Sequence, residues 1–283
     1  MKLRYHIEAL LLAWLFSAFR AMPLDLASWC GSMMARAIGP LMSAHQTAKK
    51  NLAMAFPDRS ERERYKILVG MWDNLGRTAA ELAHLPGDRL TSRVHVHGLE
   101  HLPKPGQAAL FFSGHLGNWE LNGPMAVDRG IPTTVIYRHA NNPYVDALIC
   151  KLRASHATDM LPKGHRGAVK MVRALKSGGS IAMLIDQKMN DGIAVPFFGR
   201  DAMTATAIAE FSLRYDMPII PARVVRTKGA HFEGYLQPPL TVEKTGDTAK
   251  DTLAIMTHIN AILESWIREH PEQWFWVHQR WPK

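Results

Sequence analysis

Cysteine is nearly absent: only 2 of the 283 residues are Cys. Cys30 and Cys150 form no CxxC pair and no Cys/His ligand spacing, which argues against a structural zinc module and against a disulfide framework. A reducing compartment fits this usage. Cys150 sits beside Leu148, Ile149 and Leu152 in a predicted amphipathic helix and reads as core, not as a nucleophile. Long apolar runs are also missing. The uncharged run from Ala9 to Phe19 covers about 17 Å as a helix, short of the roughly 30 Å hydrocarbon core of a bilayer. Arg20 and the bulky Phe19 spoil a signal-peptide cleavage site. There is no internal repeat, no low-complexity tract, no G-x-S-x-G nucleophile turn and no helix-turn-helix or aromatic/basic RNA motif.

Acidic residues are outnumbered, 25 against 34 Lys plus Arg, for a formal net charge of +9. A basic protein seeks anionic partners: nucleic acid, anionic lipid or an acidic carrier protein. Hydrophobic content of 47% and charged content of 21% are ordinary for a globular chain. Apolar sequence continues from Leu24 to Met42, with Trp14, Phe16, Phe19 and Trp29 adding aromatic bulk. Residues 1–45 therefore read as a helical membrane-anchoring region that embeds in one leaflet or spans marginally. Lys2, Arg4 and Arg20 are expected to meet anionic headgroups. Residues 46–283 read as one α/β domain.

Within that domain Ser60 and Glu63 make a capping box. The helix they open carries Ile67, Leu68, Met71, Leu75, Ala79 and Leu82 on one face. Strands are predicted at 94–97, 108–113, 133–137, 180–185, 219–225 and 232–236. Helices are predicted from Asn142-Pro143, over 166–177 and over 206–215, with a last one opened by Thr248 and Asp251 and closed by Pro271. Strands alternating with helices give an α/β fold, a central sheet flanked by helices. Sites in such folds gather at the carboxyl ends of strands, and His115, Arg138 and Asp186 all fall at such ends.

The most informative stretch follows the strand Ala108–Ser113: Gly114-His115-Leu116-Gly117-Asn118-Trp119-Glu120. On a helix, five residues turn the chain by about 500°, so His115 and Glu120 would not share a face. Gly114 and Gly117 permit a turn that brings them together. A neutral imidazole can then lift a proton from an alcohol while the carboxylate fixes its tautomer. Backbone N–H groups of the Gly117–Asn118 turn, or an arginine, are the candidate oxyanion donors. Asn118 has a second reading, as the cap of the next helix. His95 and His97, at i and i+2 on a strand, read as a polar strand face, since no third metal ligand is evident nearby; no metal is expected.

These blocks resemble the late acyltransferases of lipid A biosynthesis, within the wider lysophospholipid acyltransferase superfamily. His115 to Glu120 fits the H-x4-D/E motif in its Asn-Trp-Glu form. Tyr137-Arg138, Asn142-Pro143 and Asp146 are similar to a second block, and Arg166-Gly167 with Asp186-Gln187 to a third. Val195 to Gly199 with Thr204 and Thr206, then Pro218 and Pro221, then Pro271 to His278 with Arg280-Trp281, complete the series. The resemblance implies a mixed, largely parallel, glycerol-phosphate-acyltransferase-like sheet. It implies an acyl carrier protein thioester as donor, a hydroxyl on a phosphorylated glycolipid as acceptor, no cofactor, no nucleic acid, and the cytoplasmic face of a Gram-negative inner membrane. His115 is then the base and Glu120 its partner. Asp186, Arg153 and Asn118 are supporting residues, and Arg138, Arg166 and Gln187 are substrate contacts. The charge of +9 suits both anionic partners, and Trp274, Trp276 and Trp281 are expected in the core. The alternatives are acyl transfer to a lysophospholipid or another hydroxylated lipid, a basic membrane-binding protein with no activity, and a metal hydrolase using His115 with His95 and His97.

Overall fold

The computed structural model describes residues 2–104, 106–154, 157, 159–162 and 165–281, with the side chains of 2, 162 and 165–168 outside that description. The helices are α1 Lys2–Ala21, α2 Leu24–Ile38, α3 Ser43–Ala55, α4 Glu61–Glu81, α5 Asn122–Val127, α6 Pro143–Arg153, α7 His165–Lys176, α8 Ala207–Tyr215 and α9 Thr248–Glu269. The strands are β1 Val94–His97, β2 Leu110–Ser113, β3 Thr133–Tyr137, β4 Asp159–Pro162, β5 Ser180–Leu184, β6 Ile193–Phe197, β7 Arg200–Thr204, β8 Ile219–Lys228 and β9 His231–Leu236. Seven strands form one sheet in the order β1-β9-β8-β2-β5-β3-β4. Only β8 and β9 run antiparallel; the other neighbours are parallel.

The central strand β2 is buried at every position, because helices cover both faces of a parallel sheet. Leu110 and Phe112 point into one core with Leu263, Trp266, Trp274 and Trp276. Phe111 points into the other with Phe16, Phe19, Leu121 and Met125. Trp274, Trp276 and Trp281 are each at most 2% exposed, which places them in the core as expected.

Local chemistry sets the element ends. Ser60 and Glu63 make the capping box at the head of α4. Asn142 caps α6 by accepting from the Tyr144 and Val145 N–H groups. The cap of α9 is Asp247, one residue ahead of the expected start; Asp251 instead holds Thr245. Helix α4 is buried on more than one stripe, Asn74, Thr78, Ala80 and Glu81 included, while Ala79 is exposed. It passes between α2 and the C-terminal block, so a single-face reading fails there. Strands β4, β6 and β7 escape the sequence reading. The β6–β7 hairpin turns through Phe198 and Gly199, both at positive φ (53° and 69°), the geometry of a two-residue type I′ turn.

Of the two forms expected for the anchoring region, embedded in one leaflet or marginally spanning, the spanning one is not met: among the described residues no helix is long and apolar enough to cross a membrane. Helix α2 is short and lies on α4, with Gly31 and Gly76 in contact through their backbones and no room for a Cβ at either. Arg20 is exposed, and its guanidinium bends back to donate to the carbonyls of Ala83 (3.0 Å) and Pro86 (3.4 Å).

Candidate active site

The parallel strands β2, β5 and β3 deliver His115, Asp186 and Arg138 to the same sheet edge. Immediately after β2 the chain must approach Asp186 closely. Gly114 allows it, since a Cβ there would sit 3.2 Å from the Asp186 Oδ2 and 3.1 Å from Leu263. Gly117 then turns at φ 58° against the Val224 carbonyl, where only glycine fits.

The imidazole of His115 is braced by Asp186, not by Glu120. Its Nδ1 lies 2.7 Å from Asp186 Oδ1, and its backbone N–H donates to Oδ2 at 2.7 Å. The Trp274 indole N–H donates to the same Oδ2, also at 2.7 Å. Burial alone would raise the carboxyl's pKa, but the His115 charge and these hydrogen bonds outweigh it and hold Asp186 far below the usual carboxylate range. An ionised Asp186 accepts the Nδ1 proton, so the lone pair of neutral His115 sits on Nε2. That nitrogen lies 3.4 Å from the Gln187 amide nitrogen, at the wall of a cavity of about 380 Å³. Phe111, Met125 and Leu236 give the cavity apolar walls, while Arg138, Gln187 and His278 bring polar groups to it.

Glu120 lines the same cavity but holds a different partner. Arg153 grips it from α6 with two parallel bonds, Nε to Oε2 at 2.7 Å and a terminal nitrogen to Oε1 at 2.5 Å; the Trp119 indole adds a third at 3.0 Å. The reason is local. Asn118 caps the short 3₁₀ turn Trp119–Leu121 by accepting the Glu120 N–H, and the helical turn aims Glu120 toward α6. The expected His115–Glu120 bond is therefore replaced by two separate pairs, His115–Asp186 and Arg153–Glu120. Asn118 fills its capping reading.

Two of the expected oxyanion donors are engaged elsewhere. The Gly117 N–H donates to the Gln273 carbonyl at 3.1 Å, and Arg153 is committed to Glu120. Arg138 remains on the cavity wall. Arg166 belongs to α7, but its side chain lies outside the described residues.

Sequence reasoning missed the supports of the loop. Asn74 and Thr78 donate to the Gly117 carbonyl (2.9 and 3.2 Å), and Asn118 donates to buried Glu81 at 2.8 Å. Glu81 in turn meets Arg226. Phe275 N–H donates to the His115 carbonyl, so the C-terminal block holds the loop from the other side. The Trp-rich signature was the one available clue. His278, also unanticipated, accepts the Lys188 N–H at 2.9 Å beside the cavity. Among the described residues His95 and His97 group with Glu233, not with His115, so no shared metal joins them to the imidazole.

A strand-end imidazole, oriented by a buried carboxylate and opening on a largely apolar cavity, has the parts of a general-base site for a lipid-like substrate. The chain belongs to the bacterial lipid A biosynthesis acyltransferase family, whose model matches residues 1–283. It is an acyltransferase, which sets aside the non-enzymatic reading. It is 28% identical over 243 residues to the lipid A biosynthesis lauroyltransferase of Escherichia coli K12, covering 82% of this chain and 76% of that one. The palmitoleoyltransferase of the same organism is 24% identical over 270 residues, covering 92% and 86%. A lipid A biosynthesis acyltransferase of Haemophilus influenzae is 28% identical over 243 residues, covering 82% and 76%.

Proposed function

We propose that the protein transfers a fatty acyl chain from an acyl carrier protein thioester to a hydroxyl of a phosphorylated lipid A precursor, with His115 as general base and Asp186 as its brace. The observation that carries this reading is the 2.7 Å contact between His115 Nδ1 and a carboxylate 2% exposed, with Nε2 left toward the cavity. Nε2 takes the acceptor hydroxyl proton as its oxygen attacks the thioester carbonyl. The tetrahedral oxyanion collapses, the C–S bond breaks, and the imidazolium returns its proton to the departing thiolate. No acyl-enzyme forms. The Arg153–Glu120 pair shapes the cavity wall, and Arg138 and Gln187 contact the polar part of donor or acceptor. Expressed in bacteria lacking their own late acyltransferase, the chain is expected to add one acyl mass to extracted lipid A. A well-expressed protein that leaves lipid A unchanged and instead acylates lysophospholipid would overturn the acceptor.

Residues 1–45 are proposed as the membrane-facing region of the catalytic domain at 46–283, at the cytoplasmic face of a Gram-negative inner membrane. Leu3, Ile7, Leu10 and Trp14 recur at helical spacing on α1 and are 49–74% exposed. Trp29 and Met33 on α2 and Leu41 beyond it are exposed as well. An apolar face of this kind lies in the headgroup boundary of a bilayer, and a net charge of +9 favours anionic lipid. The full chain is expected to sediment with vesicles containing phosphatidylglycerol. The double variant Leu10→Asp/Trp14→Asp should lose most of that binding. Equal sedimentation of variant and parent would remove this face from the interface.

A further inference from the structure

Strand β1 is an outer strand of the sheet, hydrogen-bonded to β9 alone among its named neighbours. Its two histidines alternate outward: His95 and His97 are exposed, while Val94 and Val96 turn toward the second core. Residues i and i+2 of a strand share a face. The parallel register sets His95 beside Glu233 and His97 beside Tyr235, so the Glu233 carboxylate rises on the same face. One ligand atom from each of His95, His97 and Glu233 lies within 4.8 Å of the other two. His97 Nε2 and Glu233 Oε2 are already 2.6 Å apart. The His97 ring is stacked on Tyr235 at 4.9 Å and 15°, which limits its rotation, and the His95 ring stands edge-on to it at 4.6 Å.

We propose that His95, His97 and Glu233 form a surface binding site for one divalent transition ion of the Zn²⁺/Ni²⁺/Cu²⁺ class. Two imidazoles and one carboxylate are the donor set such ions take, with water completing the shell. The hard cations Ca²⁺ and Mg²⁺ need a shell of oxygens that two imidazoles do not supply. Bond lengths of about 2.0–2.2 Å put the donor atoms of a tetrahedral site about 3.3–3.5 Å apart. The widest separation must therefore close by at most about 1.5 Å, which torsion of these surface side chains supplies without moving the strands. The ion takes the place of the His97–Glu233 hydrogen bond, with the ring proton carried by the imidazole nitrogen that does not bind the ion.

The site is remote in role from acyl transfer, because His115 engages Asp186 instead. Its effect is on the sheet edge. His97 and Glu233 are 136 residues apart in sequence, so an ion held by both clips β1 to β9 in the native fold only. Binding to the native state alone stabilises it by mass action.

The test uses the untagged full chain, freed of metal by chelator and gel filtration, titrated with ZnCl₂ and then NiCl₂ by calorimetry. The expected result is one ion per chain and a melting temperature that rises with added Zn²⁺. His95→Gln and Glu233→Gln should each weaken that binding by about 10-fold or more, and the double variant should lose the thermal shift. His139→Gln, which changes another exposed histidine paired with a carboxylate, should leave both readouts as in the parent. Circular dichroism checks that the variants keep the parent's secondary structure, which surface positions should allow. Undiminished binding in the folded double variant, or equal weakening by His139→Gln, would overturn the site and leave only scattered histidine binding.

Discussion

Replacing His115 with alanine is expected to lower kcat/KM for acyl transfer by about 10²- to 10⁴-fold, the range a positioned acid–base group contributes. On the proposed mechanism the acceptor hydroxyl would then have to lose its proton to water while attacking the thioester. Asp186→Asn should cost a comparable factor although the volume is unchanged. An amide in place of the carboxylate no longer selects the Nδ1–H tautomer, and the imidazolium formed in the transition state loses its counter-charge. The pH dependence separates this role from mere packing. Asp186 is held far below the usual carboxylate range, so it is ionised throughout working pH. A depressed carboxyl pKa stabilises the fold fully above the unfolded value of about 3.9 and loses that contribution as pH falls toward the folded value. Asp186→Asn should therefore show a shallower loss of stability than the parent below about pH 4. Kinetics on purified protein with acyl carrier protein thioester, and urea unfolding across pH, check both halves. Full activity of Asp186→Asn would remove the brace from the mechanism. Glu120→Gln is the informative contrast: its carboxylate holds Arg153, so it should loosen the cavity wall without altering the tautomer of His115.

Glu81→Ala is expected to destabilise the protein by about 3–5 kcal/mol, the cost of stranding one member of a buried ion pair. Glu81 is 0% exposed, and four donors converge on its carboxylate: two from Arg226 at 2.5 and 2.9 Å, Ser28 at 2.7 Å and Asn118 at 2.8 Å. Arg226 also reaches Asn74 and Thr78, the residues that hold the Gly117 carbonyl. Truncating Glu81 leaves the Arg226 charge buried and frees Asn118, so the loop that carries His115 loosens along with the core. Urea denaturation reads the first effect and kcat the second. The pair Glu81→Leu/Arg226→Met should recover much of the stability, because both charges leave together, yet keep a lowered kcat, because Asn118 has no anchor. A single Glu81→Ala loss under about 1 kcal/mol would show that water or a local shift resolvates Arg226.

Much of the chain was legible from pattern. Strand β3 begins and ends where its Thr-Thr-Val-Ile-Tyr run does, and Asn142-Pro143 starts a helix by local capping chemistry alone. Strands β4, β6 and β7 were not legible: β4 runs from Asp159 to Pro162, and β6 contains Pro196, so none has clean alternation. Helix α4 misled in a different way. Its polar residues Asn74, Thr78 and Glu81 look like a solvent face, but they are inside, where Arg226 donates to all three and the Gly117 carbonyl accepts from Asn74 and Thr78. The N-terminal run suggested an anchor that embeds in one leaflet or spans marginally, because sequence shows hydrophobicity, not what covers it. Part of that hydrophobicity, Phe16, Phe19 and Ala27, is spent on the second core.

By itself the sequence determined the strand–helix alternation, the glycines that let His115 turn off the end of β2, and the ordered blocks that mark the family. These follow from short-range sterics and capping, which act over a few residues. The partner of the imidazole was decided elsewhere. Asp186 reaches His115 because β5 lies beside β2 in parallel register, and Glu120 is drawn away by an arginine from α6. The motif pointed to Glu120 as the partner, with Asp186 only a supporting residue at the end of another strand. Only the packing of strands 71 residues apart could say which one stands 2.7 Å from Nδ1, because a hydrogen bond depends on distance in space and not on separation along the backbone.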